Sequence, residues 1–354
     1  MRGEKLSPAE VAVKPKMKTV KLIVVGFGTI GRGVLEVLSE KRRLVRERYG
    51  FDLQVSAVCE IDGSLINHQG VNVDSALRLA AAKKLRDHPD WKQKKSLEVI
   101  REVDADIVLE LTPGNIRTGE PGLGHIRAAF ESGKSVVTSN KSPLAKSFYE
   151  LKALAEKKRV LFGYEATVGG AIPIINLYRD NLGINVVRSI YGILNGTSNF
   201  ILTKMFEEDL SLSTALKEAQ ELGIAETDPA YDINGTDTAV KLVILANSIM
   251  DRHVSLEDVS VTGIEDITLE SLELAKKHGF AIKLVGDVGS MEVSPRLVHL
   301  SHPLNVSGTL NAIMLDTDVA GTLTLVGHGA GKIETASSIF SDILNIAKAG
   351  GCGK

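Results

Sequence analysis

The run Lys21-Leu22-Ile23-Val24-Val25-Gly26-Phe27-Gly28-Thr29-Ile30-Gly31 constrains this chain more than any other stretch. Consecutive aliphatic residues read as a short buried strand, and G-x-G-x-x-G follows where a helix begins, with Val34, Leu35 and Leu38 on its apolar face. In a strand–turn–helix of this kind Gly26 allows the tight turn, Gly28 lets the backbone approach a pyrophosphate, and Gly31 lets the helix pack closely on the strand. The helix N-terminus adds unpaired N–H groups and the positive end of its dipole. The backbone of Gly26, Phe27, Gly28, Thr29, Ile30 and Gly31 is therefore expected to hold a dinucleotide.

The pattern that follows alternates strand and helix. The sequence predicts helices over Gly31–Tyr49, Val73–Trp91, Ser96–Arg101 and Leu123–Ser132. It predicts strands over Phe51–Cys59, Asp106–Leu111 and Ser135–Thr138. Such alternation implies a parallel sheet with right-handed crossovers, whose ligands sit beyond the carboxyl ends of the strands. Those ends carry the glycine turn, Glu60 and Asp62, Thr112-Pro113, and Ser139-Asn140-Lys141. Beyond about residue 145 the pattern becomes α+β, with strands over Val187–Leu194, Arg296–Leu300 and Leu323–Val326 and helices over Ser211–Leu222 and Thr236–Met250. Near the end, Gly327-His328-Gly329-Ala330-Gly331 opens a last helix over Ile333–Ala347. This second glycine turn is expected to neighbour the phosphates and to return the chain to the nucleotide domain. The expected fold class is thus α/β, a Rossmann-type dinucleotide-binding domain over 18–145, completed by about 327–350, plus an α+β domain over 146–326. Residues 1–17 read as a loose arm, and Met17 is an alternative start.

The 354 residues suffice for two domains with cores of their own. At 44% hydrophobic, 24% charged and a net charge of −2, the chain offers no surface for nucleic acid, and no apolar run reaches the roughly 18–20 residues that span a bilayer. The arm lacks the apolar core of a signal peptide. Two cysteines, Cys59 and Cys352, exclude a disulfide framework, so a cytoplasmic location is expected. Cys352 reads as an exposed tail thiol, with an intersubunit bridge as the alternative. No His or Cys cluster has zinc spacing.

Asp237 and Lys241 stand four apart on a predicted helix and so share a face. On a surface such a pair contributes only about a few tenths of a kcal/mol. This helix continues as Leu242-Val243-Ile244-Leu245-Ala246, too apolar to lie in water, and a charged pair at the mouth of a buried helix suggests a site.

Four segments together resemble the homoserine dehydrogenase family: Thr138-Ser139-Asn140-Lys141; Glu165 to Pro173 (EATVGGAIP); Gly192 to Leu202 (GILNGTSNFIL); and Ala225 to Lys241 (AETDPAYDINGTDTAVK). Order and spacing match over about residues 18–350. The chain resembles the short form, with no room for a fused aspartate kinase and no regulatory domain expected after residue 350. The resemblance implies NAD(P)-dependent interconversion of L-homoserine and L-aspartate 4-semialdehyde, in threonine, methionine and isoleucine biosynthesis. It makes the second domain catalytic and dimerising, and the protein a homodimer. Carbonyl reduction develops negative charge on oxygen, which needs a proton donor. The resemblance gives this role to Lys241, whose pKa desolvation can lower toward working pH. Lys141 contacts the nicotinamide ribose or the substrate, or serves as a second proton-relay lysine. Glu226 and Asp237, with Asp232 as a third, match the positions that receive the substrate ammonium. Asn195, Gly196 and Thr197 are expected to line the pocket, unless they form only a tight turn. Thr112 and Gly329 are expected near the coenzyme. Glu165, Val168, Gly170 and Ile172 match a monovalent-cation site built mainly from backbone carbonyls, which suit sodium.

Glu60, at the end of the second strand, would bind the adenosine ribose and repel a 2′-phosphate, favouring NAD; Arg32 leaves NADP open. Two other readings are weaker. An aspartate-semialdehyde dehydrogenase needs a nucleophilic cysteine inside its catalytic domain, and neither Cys59 nor Cys352 is so placed. A non-catalytic dinucleotide sensor would be expected to lose its proton donor, whereas Lys241, Asp237, Glu226 and Lys141 are all present.

Overall fold

The computed structural model describes residues 17–350; most of the predicted arm, and Cys352, lie outside them. The first half alternates as β1 (Lys18–Val25), α1 (Thr29–Tyr49), β2 (Phe51–Cys59), β3 (Ser64–Ile66), α2 (Val73–Ala81), β4 (Trp91–Lys92), α3 (Ser96–Glu102), β5 (Ile107–Glu110), α4 (Gly122–Glu131), β6 (Ser135–Thr138), α5 (Lys141–Lys158) and β7 (Phe162–Gly163). Its sheet has the order β4-β3-β2-β1-β5-β6-β7. β1 pairs in parallel with β2 on one side and β5 on the other, and β6 and β7 continue in parallel. The strand order reverses direction around β1. The crevice above the carboxyl ends of β1, β2 and β5 is therefore the topological switch point where ligands bind. Ile23, Val24, Ile107, Val108, Val136 and Val137 are fully buried, as expected of a sheet covered by helices on both faces.

The far edge differs from the parallel pattern read in the sequence. β3 and β4 run antiparallel to their neighbours. The helix predicted over Val73–Trp91 ends at Ala81; Lys83 takes a φ of 57°, and one turn over Leu85–Asp87 leads into β4. Trp91 is used to close the sheet edge, in register with Leu65 and against Gly63, and cannot also serve a helix.

The second half runs α6 (Ile174–Asn181), β8 (Val187–Ile193), α7 (Gly196–Glu208), α8 (Leu212–Glu221), α9 (Ala230–Ile233), α10 (Thr236–Ile249), β9 (Ser260–Val261), α11 (Leu269–Lys277), β10 (Phe280–Asp287), β11 (Glu292–His299), β12 (Leu310–Thr317), β13 (Thr322–His328) and α12 (Lys332–Lys348). Its strands form a second sheet, β13-β12-β8-β10-β11-β9. α10 is buried without interruption from Thr238 to Asn247, because a helix with no polar face must be enclosed. It sits in one core with Ile190, Ile201, Leu284 and Ile313, and Leu144 and Phe148 of α5 join that core from the first half. α12 turns back: Ala336, Ile339, Phe340 and Ile343 share a core with Val34, Leu35 and Leu38 of α1.

The second core encloses a charge. Lys283 of β10 is 3% exposed, and its Nζ donates to Val306 O at 2.8 Å and Asn199 Oδ1 at 3.0 Å. Burial pulls its amine down from 10.5 to about 8. Between those values the unfolded chain holds the proton and the folded chain does not, so stability contributed here rises with pH. Chemical denaturation between pH 8 and 10 is expected to show a slope that Lys283→Met removes, up to about 1.4 kcal/mol per pH unit. Equal slopes in the two proteins would show that Lys283 keeps its proton on folding.

Candidate active site

A cavity of about 1080 Å³ occupies the crevice above β1, β2 and β5. Gly26 to Ile30 form its floor, and Glu60, Thr112, Asn140, Lys141, Glu226 and Asp237 stand on its walls. The glycine turn is built as a cradle. Gly26 has a φ of 96°, and a Cβ there would meet the Leu111 carbonyl carbon at 2.8 Å; a Cβ on Gly31 would meet Gly26 O at 2.1 Å. A Cβ on Gly28 would meet nothing within 4 Å, so this backbone faces open cleft. Asn140 caps α5 through Oδ1, while its buried Nδ2 has no partner. A floor of exposed backbone, α1 opening onto it and an unspent donor on the wall fit a dinucleotide.

At the other end of the cleft the charged groups converge on Asp237, in the first turn of α10. Its Oδ1 accepts from Lys141 Nζ, and its Oδ2 accepts from Lys241 Nζ at 2.8 Å and Asn195 Nδ2 at 3.0 Å. Lys241 also donates to Leu194 O, and Asn195 Nδ2 to Asp232 Oδ1 at 2.6 Å. Burial disfavours the charge on Asp237, but the two ammonium groups prevail and hold it far below the usual carboxylate range. The lysines diverge. Burial, aided by the neighbouring Lys141 ammonium, pulls Lys241 down against the attraction of Asp237. Burial also opposes the charge on Lys141, but Asp237, Asp232 and Glu226 outweigh it and raise its pKa. Burial pushes Asp232 up, against the Asn195 hydrogen bond.

Lys141 and Asp237 face the cleft, whereas the 6%-exposed Lys241 lies one carboxylate behind the wall. Asn195, Gly196 and Thr197 also lie behind it. They are not a simple turn: Asn195 caps α7 by accepting from Ser198 N at 2.8 Å, and Thr197 donates to Ile224 O. Glu226 is on the wall and exposed.

Gly329 departs from the expectation. None of Gly327 to Gly331 lines the cleft; Gly329 packs against Gly170 and Asn311, and Lys332, the first residue of α12, packs against Gly33 of α1. Glu165 is fully buried, and both its carboxylate oxygens cap α6, accepting from Ile175 N and Asn176 N. Burial pushes Glu165 up to about 7 and its neighbour Asp342 up to about 6. Gly170 O accepts from Ser338 Oγ and Ile172 O from Ile174 N. No group of three or more His, Cys, Asp or Glu side chains able to hold a metal occurs among the described residues.

The cleft also contains groups that sequence reasoning missed. Ser96, opening α3, and His125 of α4 share its wall, with Ser96 Oγ 2.7 Å from His125 Nε2. His125 Nδ1 lies 3.5 Å from Glu110 Oε1. Only Glu110, at a strand's carboxyl end, carried a signal that could have been read.

Two family models match the chain: one described as homoserine dehydrogenase, NAD binding domain, over residues 26–165, and one described as homoserine dehydrogenase over 173–344. A homoserine dehydrogenase of Methanocaldococcus jannaschii is 49% identical, over 92% of this chain and 98% of that protein. An NAD(+)-dependent homoserine dehydrogenase of Pseudomonas canavaninivorans is 38% identical, over 93% of this chain and 97% of that protein. Among solved structures, a hyperthermophilic archaeal homoserine dehydrogenase mutant in complex with NADPH superposes with a TM-score of 0.83 at 30% identity, over 94% of this chain and 98% of that one.

The shared carboxylate generates a stability prediction. Asp237→Asn leaves the buried Lys241 ammonium without its nearest counter-charge, beside the cleft-facing Lys141, and is expected to cost up to about 3 kcal/mol. Adding Lys241→Met removes that buried ammonium and should recover part of the loss. A double variant no more stable than the single one in urea denaturation would contradict this coupling.

Proposed function

This chain belongs to the homoserine dehydrogenase family, and from that membership and the geometry of the cleft we propose how it interconverts L-homoserine and L-aspartate 4-semialdehyde. The carrying observation is the pair of lysines with opposite pKa shifts on one carboxylate, at the far end of a cleft floored by the glycine cradle. The bound coenzyme supplies or removes the hydride at the aldehyde carbon. Lys241, the lysine with the lowered pKa, exchanges the proton: its ammonium donates to the aldehyde oxygen, and its neutral amine takes the hydroxyl proton in the reverse direction. Lys141, held charged, stabilises the developing oxyanion from the wall and reaches the nicotinamide ribose. Asp237 orients both amines. Glu226, with Asp237 and Asp232, attracts the substrate ammonium, and Asn195, Gly196 and Thr197 hold these carboxylates in place from behind.

Gly26 to Gly31, with Thr112, support the coenzyme pyrophosphate, and Glu60 meets the adenosine ribose. Gly329 has no part in this reading. The Glu165 to Ile172 segment fits a monovalent cation such as sodium: Glu165 is a buried acid whose oxygens retain lone pairs, and the carbonyls of Gly170 and Ile172, which accept from Ser338 Oγ and Ile174 N, keep a second lone pair each. Such an ion would neutralise Glu165 away from the hydride path. A homodimer is supported by the outer face of the second sheet, where Val326 lies opposite Ala312 and is 50% exposed, beside the partly buried Tyr191 and Met314. Among the described residues no helix is long and apolar enough to cross a membrane, in keeping with a cytoplasmic enzyme.

Purified protein is expected to oxidise L-homoserine with NAD or NADP. Lys241→Met should lower kcat by roughly 10²–10⁴-fold with little change in coenzyme affinity, and Lys241→Arg should not rescue it, since guanidinium does not release its proton. Homoserine oxidation should rise with pH to a plateau whose midpoint lies below 10.5, because the reaction needs the neutral amine. A Lys241→Met enzyme with near wild-type turnover would remove Lys241 from this role.

Coenzyme choice gives a second expectation. Initial rates should favour NAD, and Glu60→Gln should raise kcat/KM for NADP relative to NAD by removing the repulsion of the 2′-phosphate. An unchanged ratio would assign discrimination elsewhere.

A further inference from the structure

Ser96, His125 and Glu110 form a chain of polar groups leading into the cleft, and Ser96 stands on its Glu60 side: two residues earlier Lys94 O accepts from Ser64 Oγ, and Ser64 pairs with Cys59, next to Glu60. Glu110 is fully buried and accepts from Thr112 N at 3.2 Å, from the Thr112 hydroxyl, and from Thr138 Oγ1 at 3.2 Å, all neutral donors. The remaining group against it is His125, 5% exposed, whose Nδ1 faces Glu110 Oε1 at 3.5 Å and has no hydrogen-bond partner. The tautomer with its proton on Nδ1 turns that proton toward Glu110 Oε1. Nε2 is then an acceptor, and Ser96 must spend its one hydroxyl proton on Nε2, 2.7 Å away. What Ser96 turns to the cleft is lone pairs.

This polarity selects a ligand chemistry. Phosphate oxygens also only accept and find no donor in the Ser96 hydroxyl, whatever the neighbouring Lys95 offers them. An N–H or O–H donor does. We propose that Ser96 Oγ accepts a hydrogen bond from the adenosine half of the coenzyme, from its adenine 6-amino group or its ribose 2′-hydroxyl, with His125 and Glu110 as positioning residues that fix the serine as an acceptor. The inference rests on the dinucleotide reading of the cleft. It places a second acceptor on the wall that Glu60 and Lys95 also line. It also accounts for the burial of Glu110, whose carboxylate does not itself line the cavity.

The test is a fluorescence titration of NADH, with NADPH and reduced nicotinamide hypoxanthine dinucleotide, which lacks the 6-amino group, in parallel. Ser96→Ala should weaken NADH binding roughly 3–10-fold, the size expected for one neutral hydrogen bond. Ser96→Thr, which keeps the hydroxyl, should bind like wild type. The loss should shrink for the analogue that lacks the relevant donor: for the hypoxanthine coenzyme if the partner is the adenine amine, for NADPH if it is the ribose 2′-hydroxyl. His125→Gln should reproduce the Ser96→Ala loss, and wild-type affinity in that variant would overturn the positioning role. Unchanged NADH affinity in Ser96→Ala, or an equal loss for all three coenzymes, would overturn the proposal. Homoserine oxidation by the wild-type protein is measured alongside. Intact coenzyme discrimination without turnover would sink the reaction assigned above and leave this inference standing.

Discussion

One carboxylate holds the reacting end of this molecule together. Asp237 accepts from Lys141, which opens a helix following the nucleotide sheet, and from Lys241, on the enclosed helix of the second half. Two ammonium groups so close repel, and neither could sit there without the charge between them. The same arrangement divides the lysines by burial. The one facing the cleft keeps its proton, and the one behind the carboxylate is brought nearer to losing it. A site that must both attract an oxyanion and exchange a proton needs those two properties, and here they come from a difference in depth between two identical side chains.

The nucleotide half was legible because its signals are local. A hydrophobic run, a glycine turn and an apolar helical stripe lie within a short stretch, and they describe β1 and α1 as found. The edge of the same sheet was not legible. Trp91 sits in a stretch with helical spacing, but its place is decided by Leu65 and Gly63, which are remote in sequence. α7 and β10 went unread for a related reason. α7 is buried on nearly every side and β10 almost throughout, so neither shows the alternation by which a half-exposed element is recognised.

The site divides along the same line. Asp237 and Lys241 could be paired from their spacing, because four residues on a helix bring side chains together. Glu226 and Asn195 entered only through a family resemblance, and Lys141 was legible only as a residue at a strand's carboxyl end, since nothing in their local sequence brings them near Asp237. Gly329 was read as a coenzyme neighbour because a glycine turn before a helix looks the same in sequence whatever the helix packs on; here it stands off the cleft lining, against Gly170 and Asn311. The Ser96–His125–Glu110 chain joins three elements, and only Glu110, at a strand's carboxyl end, carried a signature.

The return of α12 to the first core bears on how this protein is made. Val34, Leu35 and Leu38 are synthesised early, yet the side chains that cover them, Ala336, Ile339, Phe340 and Ile343, leave the ribosome only after the whole second half has been translated. Until then the coenzyme half carries an open greasy seam. The second sheet, whose core draws nothing from α12, is free to consolidate first, so the domain begun earliest is the last to be sealed.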